Sequence, residues 1–597
     1  MSEPVLPRPA RTAGIVVAAI LGALLIITVA IIAWVGVRGA LAYSHLRDAQ
    51  AATSGIRADL SNPETAAVAI AGLRDDTSAA HSLTSDPIWR LAELTPWLGP
   101  QLSAFSTVAA SLDDVVSTSL TPLADVAATF SADSIRPQGG RIDVSSFVSI
   151  QDAATTGAEG ITTAAASVRA IDTAPLVAPL RLSVDEISAL LDEAAAGTDA
   201  LARATELLPS MLGGSGPRDY LVLFQNNAEW RSLGGIPGAM AVIHTDDGAM
   251  TLSRQASSGN FPRYDESILP LPPEVEAIYG QRPGRWIQNV TQVPDFTVAA
   301  PLAQAMWARE FGQQVDGVLA LDPVALSYLL QATGPVTLPT GDVLTSDNAV
   351  SLLLNEVYLR YEDPAEQDAF FAAAASSVFA ALSQGGADPV ALLTALTRAG
   401  SEHRLLMWSA HPDEQARIAE TTLAGALPET NAQTATFGAY LNDGTGSKMD
   451  YYVTADTQLT WNSCTLDAVG TATGTATLTL TLANGAPADA ANLPSYITGG
   501  GVFGLAPGVA RTVGYIYLPQ GFIVTDSTLS SGGGFGTATH DGRQVLTFST
   551  DLAPGASTTA TVAVRTVGPS APRLIADVTP TITSTSAPEA VCTTASR

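Results

Sequence analysis

The chain has 597 residues, 46% of them hydrophobic and 14% charged, with a formal net charge of −28. That length admits several domains, and that charge argues against nucleic-acid binding through a basic surface. Two cysteines, Cys464 and Cys592, are too few for a disulfide-stapled fold, and neither belongs to the Cys-x-x-Cys pair of a thiolate zinc site.

Residues 1–12 are read as a short cytoplasmic tail carrying Arg8 and Arg11. From Ala13 to Val37 there is no charged residue, a run longer than the roughly 20 residues that cross a bilayer as a helix. A signal-peptide core is shorter, about 7–15 residues, and ends at a small-residue cleavage site. The run is therefore expected to be an uncleaved transmembrane helix over 13–37. Arg38 and Arg47 follow it, so the flanking positive charge is nearly balanced. The absence of a nucleotide motif favours the tail inside and the bulk of the chain outside the cytoplasm, as a single-pass protein of the cell membrane. There Cys464 and Cys592 have two readings: one disulfide, stabilising by about 4–5 kcal/mol on the chain-entropy account, or two buried free thiols.

Residues 38–212 are rich in Ala, Ser and Thr, with apolar residues at helical spacing such as Val184, Ile187, Leu190 and Leu191. Pro63, Pro87, Pro96, Pro100, Pro122 and Pro137 break the pattern, so several helices in a stalk or bundle are expected. The stretch Asp86–Leu102 sets Trp89 and Trp97 beside prolines, which reads as a helix corner near the membrane surface.

Residues 213–436 read as an α/β domain. It opens on a hairpin with strands at Tyr220–Phe224 and Ala239–Ile243. Asn226, Asn227, Glu229, Arg231 and the pair Gly234-Gly235 fall in the connecting loop. A third strand is expected at Met250–Ser258, a helix at Pro301–Gly312, a strand at Val315–Asp322 and a helix at Pro323–Thr333. Further helices are expected at Asn348–Arg360 and Pro364–Leu382. Residues 437–597 change to Thr- and Val-rich strands between Gly-rich turns, the pattern of a β-sandwich domain.

Nucleotide and hydrolase motifs are missing. The one lysine, Lys448, is followed by Met449, so there is no P-loop, and no His-Glu-x-x-His or Gly-x-Ser-x-Gly occurs. What remains is arginine and carboxamide chemistry: Arg231, Arg254, Arg263, Arg282 and Arg285 crowd the first half of the α/β domain. Guanidinium groups bind phosphate oxygens bidentately, so this cluster is the candidate for an anionic ligand. Each arginine alone is more often an ordinary surface residue, and Asn226, Asn227 and Asn289 are more often turn caps than ligands. Asp265, Glu266 and Asp295 are the nearby acids that a divalent cation or a general base would use.

The segments Gln225–Gly235 (QNNAEWRSLGG), Val315–Val336 and Asn442–Tyr452 (NDGTGSKMDYY) resemble the family named domain of unknown function 4012, mainly actinobacterial membrane-anchored proteins. The stalk stretch DPIWRLAELTPWLG is also similar to that family. More distantly, the order of elements around Val315–Val336 resembles the LytR-CpsA-Psr enzymes, glycopolymer phosphotransferases that work on a polyprenyl-pyrophosphate carrier with a magnesium ion. With the patterns above, this gives a multidomain α+β protein: a transmembrane helix, a helical stalk, an α/β domain that the resemblance implies is LytR-CpsA-Psr-like, and a C-terminal β-sandwich. The resemblance further implies that Arg231, Arg254 and Arg360 match pyrophosphate-binding arginines; with Asn227, Arg263 and Asn289 from the arginine and carboxamide set, they are the candidates to bind a polyprenyl-pyrophosphate glycan or other cell-wall polymer. Magnesium is the one cofactor it brings. The chain departs from that pattern where metal-holding aspartates are expected, carrying Asn227 at one such place, and a carboxamide is a poorer magnesium ligand than a carboxylate. The alternative function is therefore a non-catalytic envelope scaffold that binds other proteins.

Overall fold

The structure, a computed structural model, describes residues 8–58, 63–123, 136–467, 470–583 and 587–593. The tail expected over 1–12 lies outside the described residues as far as residue 7. The protein is mixed α+β, with a long apolar N-terminal helix and several sheets. It divides into two compact units: Met1–Ile135 with Asp143–Ser210, and Arg136–Ile142 with Met211–Arg597.

The first unit is helical. Helix α1 (Arg8–Ala58) contains Val16–Ala51, the one segment among the described residues long and apolar enough to cross a membrane. Its apolar side chains, Ile20 to Val37, stand mostly exposed on the protein, as a lipid-facing surface requires. Helices α2 (Pro63–Thr84), α3 (Pro87–Ala92) and α4 (Leu98–Asp114) follow, and α4 runs on as a π-helical turn, Val115–Leu120. Pro63 and Pro87 each open a helix at its first position, where a missing N–H costs nothing. Ala42, Ala80 and Ala109 meet in one small-residue core, which lets α1, α2 and α4 approach closely. His45 of α1 bonds Asp76 of α2 at 2.8 Å, and His81 of α2 bonds Asp113 of α4 at 2.9 Å. Helices α5 (Val144–Arg169) and α6 (Ala178–Met211) close the bundle over Ile161, Val168, Val184 and Leu191.

The second unit begins with β1 (Arg218–Arg231), β2 (Gly234–Asp246) and β3 (Ala249–Ser257). Helix α7 (Phe296–Phe311), strand β4 (Gly317–Leu321) and helix α8 (Pro323–Thr333) come next. The short strands β5 (Val336–Thr337) and β6 (Val343–Leu344) pair only with each other. A helical run with a π-turn at Leu352–Glu356 leads to α9 (Pro364–Ser383), α10 (Pro389–Ser401) and β7 (Leu405–Ser409). The five strands lie in the order β3-β2-β1-β4-β7, with β1 and β4 parallel and the other neighbours antiparallel. Successive strand residues point to opposite faces. Leu221, Leu223, Met240, Val242, Val318 and Ala320 therefore pack on Phe296, Met306 and Trp307 of α7. Val222, Phe224, Ala241, Ile243, Leu319 and Leu321 face the other way, towards α8 and α9.

The hairpin departs from expectation. The polar stretch read as a loop is strand: β1 continues to Arg231, and the turn is only Ser232-Leu233. Two register shifts, at Phe224/Gln225 and between Asn226 and Trp230, break the ladder and turn the strand. Trp230 is thereby delivered into a second core beyond the sheet, so an apolar anchor extends the strand where polar composition alone reads as loop. The tight turn depends on glycine. A side chain on Gly235 would put its Cβ 2.2 Å from the Asn226 carbonyl oxygen, and Gly234 has φ +127°.

That second core lies between two further sheets. Their strands are β8 (Thr434–Asp443), β9 (Val453–Leu466), β10 (Ala472–Asn484), β11 (Ala510–Tyr517) and β12 (Phe522–Leu529). They continue with β13 (Gly536–His540), β14 (Arg543–Leu552), β15 (Ser557–Thr566), β16 (Arg573–Val578) and β17 (Glu589–Val591). One sheet has the order β12-β15-β10-β9 and the other β13-β14-β11-β8-β16-β17. Strict alternation along β10 buries Ala476, Leu478, Leu480 and Leu482 against Phe437, Ile516, Phe548 and Leu574 of the facing sheet. Cys464 of β9 is disulfide-bonded to Cys592, just past β17, with Cα atoms 5.9 Å apart.

Candidate functional site

The end of β1 is the meeting point of three distant segments. The Trp230 N–H donates to Asp450 Oδ2 at 2.8 Å, and the Ser232 N–H to Asn442 Oδ1 at 3.0 Å. Lys448 Nζ lies 3.3 Å from Glu229 Oε2, and Arg231 Nη2 lies 3.4 Å from Glu229 Oε1. Asn227 donates to Asp322 Oδ2 at 3.0 Å, and Arg404 donates to the same oxygen at 2.7 Å. The Arg404 and Asp322 side chains are each 1% exposed, so their pair is fully desolvated. Thus Gln225–Gly235, Asn442–Tyr452 and the Val315–Val336 segment, all conspicuous in the sequence, interlock in one buried junction.

The electrostatics of the junction follow from burial. Asp450 is held well above the usual carboxylate range, first by burial and then by the Asp443 charge beside it. Its Oδ1 is buried without a hydrogen-bond partner, which suits a protonated, neutral acid. Asp443 is pushed up to about 6 by burial and by Glu229, although Arg231 and the Thr445 hydroxyl pull the other way. For Lys448, burial opposes the charge most strongly, but the Glu229 carboxylate together with Tyr358 and Tyr496 outweighs it and the pKa is raised, so the ammonium persists. With Asp450 neutral, the two cations Arg231 and Lys448 stand against Glu229 and Asp443.

Beside this junction lies an apolar cavity of about 490 Å³. Its floor is the free face of the five-stranded sheet, with Val222, Phe224, Ala239, Ala241, Ile243 and Leu319. Its roof is Leu326 and Leu329 of α8, Leu353 and Leu354 of the π-turn, and Phe371, Ala375, Val378 and Phe379 of α9. Its polar lining includes Gln225, Asn226, Asp322 and Lys448, which it shares with the junction, and Gln367 and Asp368 of α9. The Lys448 ammonium lies 5.0 Å from the Tyr358 ring centroid and 4.8 Å from that of Tyr496, a cation–π arrangement that fixes it at the cavity wall. Asn226 Nδ2 donates to the Tyr358 hydroxyl at 2.5 Å, holding one of those rings. The volume falls within the roughly 300–1,000 Å³ of small-molecule sites, whereas ordinary interiors hold few voids larger than a water.

The six residues expected to bind ligand are placed as follows, and none lines the cavity. Arg231 and Asn289 come together, with Arg231 donating to Asn289 Oδ1 at 3.0 and 3.2 Å and to the Trp230 carbonyl at 2.8 Å. Asn227 is fully buried between Asp322 and the Pro580 carbonyl, a structural tie. Arg254 lies over the Phe311 ring and Arg263 over Trp286, at 5.3 and 5.2 Å from the ring centroids. Arg360 pairs with Asp342 at 2.8 Å. The arginines therefore do not converge on one pocket, because each has a nearer aromatic ring or carboxylate. Asp295 caps α7 through the Thr297 N–H at 2.9 Å. Sequence reasoning passed over Lys448, Asp450, Asp322 and Arg404. The signal for Lys448 was available, since a lone lysine inside a family-like segment is singular by composition.

Magnesium finds no matching donor set here. Among the described residues no group of three or more His, Cys, Asp or Glu side chains is arranged to hold a metal. The Asp322 carboxylate already takes bonds from Arg404, Asn227 and the Ala325 N–H.

A search of curated proteins finds no match to the chain. A family model does match, over residues 215–358, the segment running from the start of β1 to Tyr358 at the cavity wall. Residues 215–358 belong to the family described as protein of unknown function (DUF4012).

Proposed function

We propose that the second unit binds an amphiphilic lipid of the cell envelope. The apolar chain fills the cavity between the sheet and α9, and the polar head rests at Lys448, Asn226 and Gln367. The observation that carries this reading is the 490 Å³ apolar cavity with the chain's one lysine at its polar end. Burial of an aliphatic chain there contributes about 0.8 kcal/mol per methylene, enough to hold a lipid with little help from its head. The resemblance to LytR-CpsA-Psr enzymes makes a polyprenyl-pyrophosphate-linked glycopolymer the specific ligand, in a LytR-CpsA-Psr-like α/β domain over 213–436 followed by a β-sandwich domain over 437–597. The Cys464–Cys592 bridge supports an oxidising compartment for these residues. With the apolar helix of the first unit as anchor, the protein is a single-pass membrane protein with its bulk outside the cytoplasm.

A second reading, a non-catalytic scaffold of the envelope, is favoured by Arg231. Its guanidinium is taken up by Asn289, Glu229 and the Trp230 carbonyl rather than presented to a ligand. The test uses the full chain in detergent with a polyprenyl pyrophosphate, inorganic pyrophosphate and a polyprenol, each with and without magnesium. Binding that tracks the chain and not the pyrophosphate supports the lipid site. Turnover with magnesium adds transfer to it. Absence of binding by either chain-bearing ligand removes the lipid reading and leaves the scaffold.

A further inference from the structure

The corner between α3 and α4 carries an apolar surface that the bundle does not cover. Leu91 is 58% exposed, Leu94 79% and Trp97 70%. The opposite side of the same corner is fixed. Trp89 is 1% exposed and packs with Val35, Ala92 and Leu102, lying over Gly39 of α1. Asp86, the cap of α3, pairs with Arg38 of α1 at 3.0 Å. Val35, Arg38 and Gly39 mark the place on α1 where the uncharged run ends. The corner is thus clamped beside the last turns of the apolar helix, at the depth where a bilayer passes from acyl chains to headgroups.

Two further observations point to lipid as what covers it. Trp34 and Tyr43 of α1 are exposed to either side of the same level, 46% and 58%, and tryptophan and tyrosine are the residues that collect at membrane interfaces. The backbone of the corner is also largely self-satisfied, as entry into a bilayer demands. Asp86 accepts the N–H groups of Ile88, Trp89 and Arg90. Glu93, Leu94, Thr95 and Gly99 donate to carbonyls of the same turn. Pro87, Pro96 and Pro100 have no N–H to satisfy.

We propose that the α3–α4 corner inserts Leu91, Leu94 and Trp97 into the interface of the bilayer that α1 crosses, as a second contact that fixes the bundle against the membrane. This rests on α1 as a membrane anchor and is independent of the lipid cavity. Because both native cysteines are bonded to each other, a new cysteine can be labelled singly. The full chain is reconstituted into phosphatidylcholine–phosphatidylglycerol vesicles with an environment-sensitive fluorophore at Leu94→Cys, Val148→Cys or Leu25→Cys. Val148, on α5, is a comparably exposed apolar residue, 56%, at the far end of that helix from Val168, which packs with Leu176 close to the start of α4, and it serves as the aqueous control. The expected result is a blue-shifted Leu94 label, quenched by spin-labelled lipid and shielded from iodide, beside a Val148 label with the reverse behaviour. A Leu94 label as open to iodide as Val148, while the Leu25 label stays shielded, overturns the proposal and leaves the anchor intact. A Leu25 label open to iodide removes the anchor, and the proposal falls with it.

Discussion

The junction at the end of β1 and the cavity next to it share Asn226, Asp322 and Lys448 and are built on opposite principles. In the junction the charged groups are held by neighbours: Arg231 by Asn289, Asp322 by Arg404, Glu229 by Lys448, with Asn442 bonded to Ser232. The atoms left without a partner there, such as Asn227 Oδ1 and Asp450 Oδ1, are buried. The cavity is bounded by Val, Leu, Ala and Phe side chains of no particular note in the sequence, and it leaves space. The contrast teaches that charged and carboxamide residues that stand out in a sequence can be conspicuous for joining two parts of a fold, while the binding surface is written in ordinary apolar residues.

The sharpest way to break this comparison is at Arg404. Arg404→Ala leaves Asp322 buried without a countercharge, held only by Asn227 and the Ala325 N–H, and should cost about 3–5 kcal/mol in denaturant unfolding. A loss near zero contradicts a closed junction. Lys448→Met comes next, because Glu229 keeps Arg231 as a partner. A loss of about 2 kcal/mol is expected, with weakened binding of an anionic lipid and retained binding of a neutral polyprenol. At Asp450 the substitutions separate charge from hydrogen bonding. Asp450→Ala orphans the Trp230 N–H at about 1–3 kcal/mol, whereas Asp450→Asn, which replaces an acid already neutral, should cost less than about 1 kcal/mol.

Titration sharpens the same point. Asp443 has a folded value of about 6 against 3.8 for the free side chain. The folded state therefore holds more protons than the unfolded between those values, and this group's contribution to stability falls as pH rises through that window. Urea midpoints taken from about pH 4 to about pH 7 should decline less steeply for Asp443→Asn than for the unchanged chain. An identical slope would mean that the carboxyl is not held in the buried company of Glu229, Arg231 and Asp450. The smallest stability effect belongs to the cavity. Ala239→Phe adds a ring into empty space and should change unfolding by less than about 1 kcal/mol.

Much of the secondary structure was legible because local rules carried it. Pro323–Thr333 was bounded by a first-position proline and a following glycine, and strands such as Arg543–Leu552 by their alternation. The stretch Asn226–Arg231 was not, because its strand conformation is imposed by Trp230 finding a core more than 200 residues further along the chain, with Asp450 bonded to its backbone. The spread of the arginines was hidden for a related reason. Arg254 and Arg263 are near Arg231 in sequence, but each is drawn to an aromatic ring, Phe311 or Trp286, that no spacing pattern ties to it. The cavity itself was invisible, since it depends on the distance between the sheet and α9.

The most direct test of the lipid site is to purify the full chain and its Ala239→Phe variant in detergent, extract bound lipid and compare them by mass spectrometry, with polyprenyl pyrophosphate added back to each. The account predicts a chain-bearing amphiphile on the unchanged protein, displaced by added polyprenyl pyrophosphate, and none on a variant that is folded and equally stable. Equal lipid on both proteins, or uptake by neither, would contradict it.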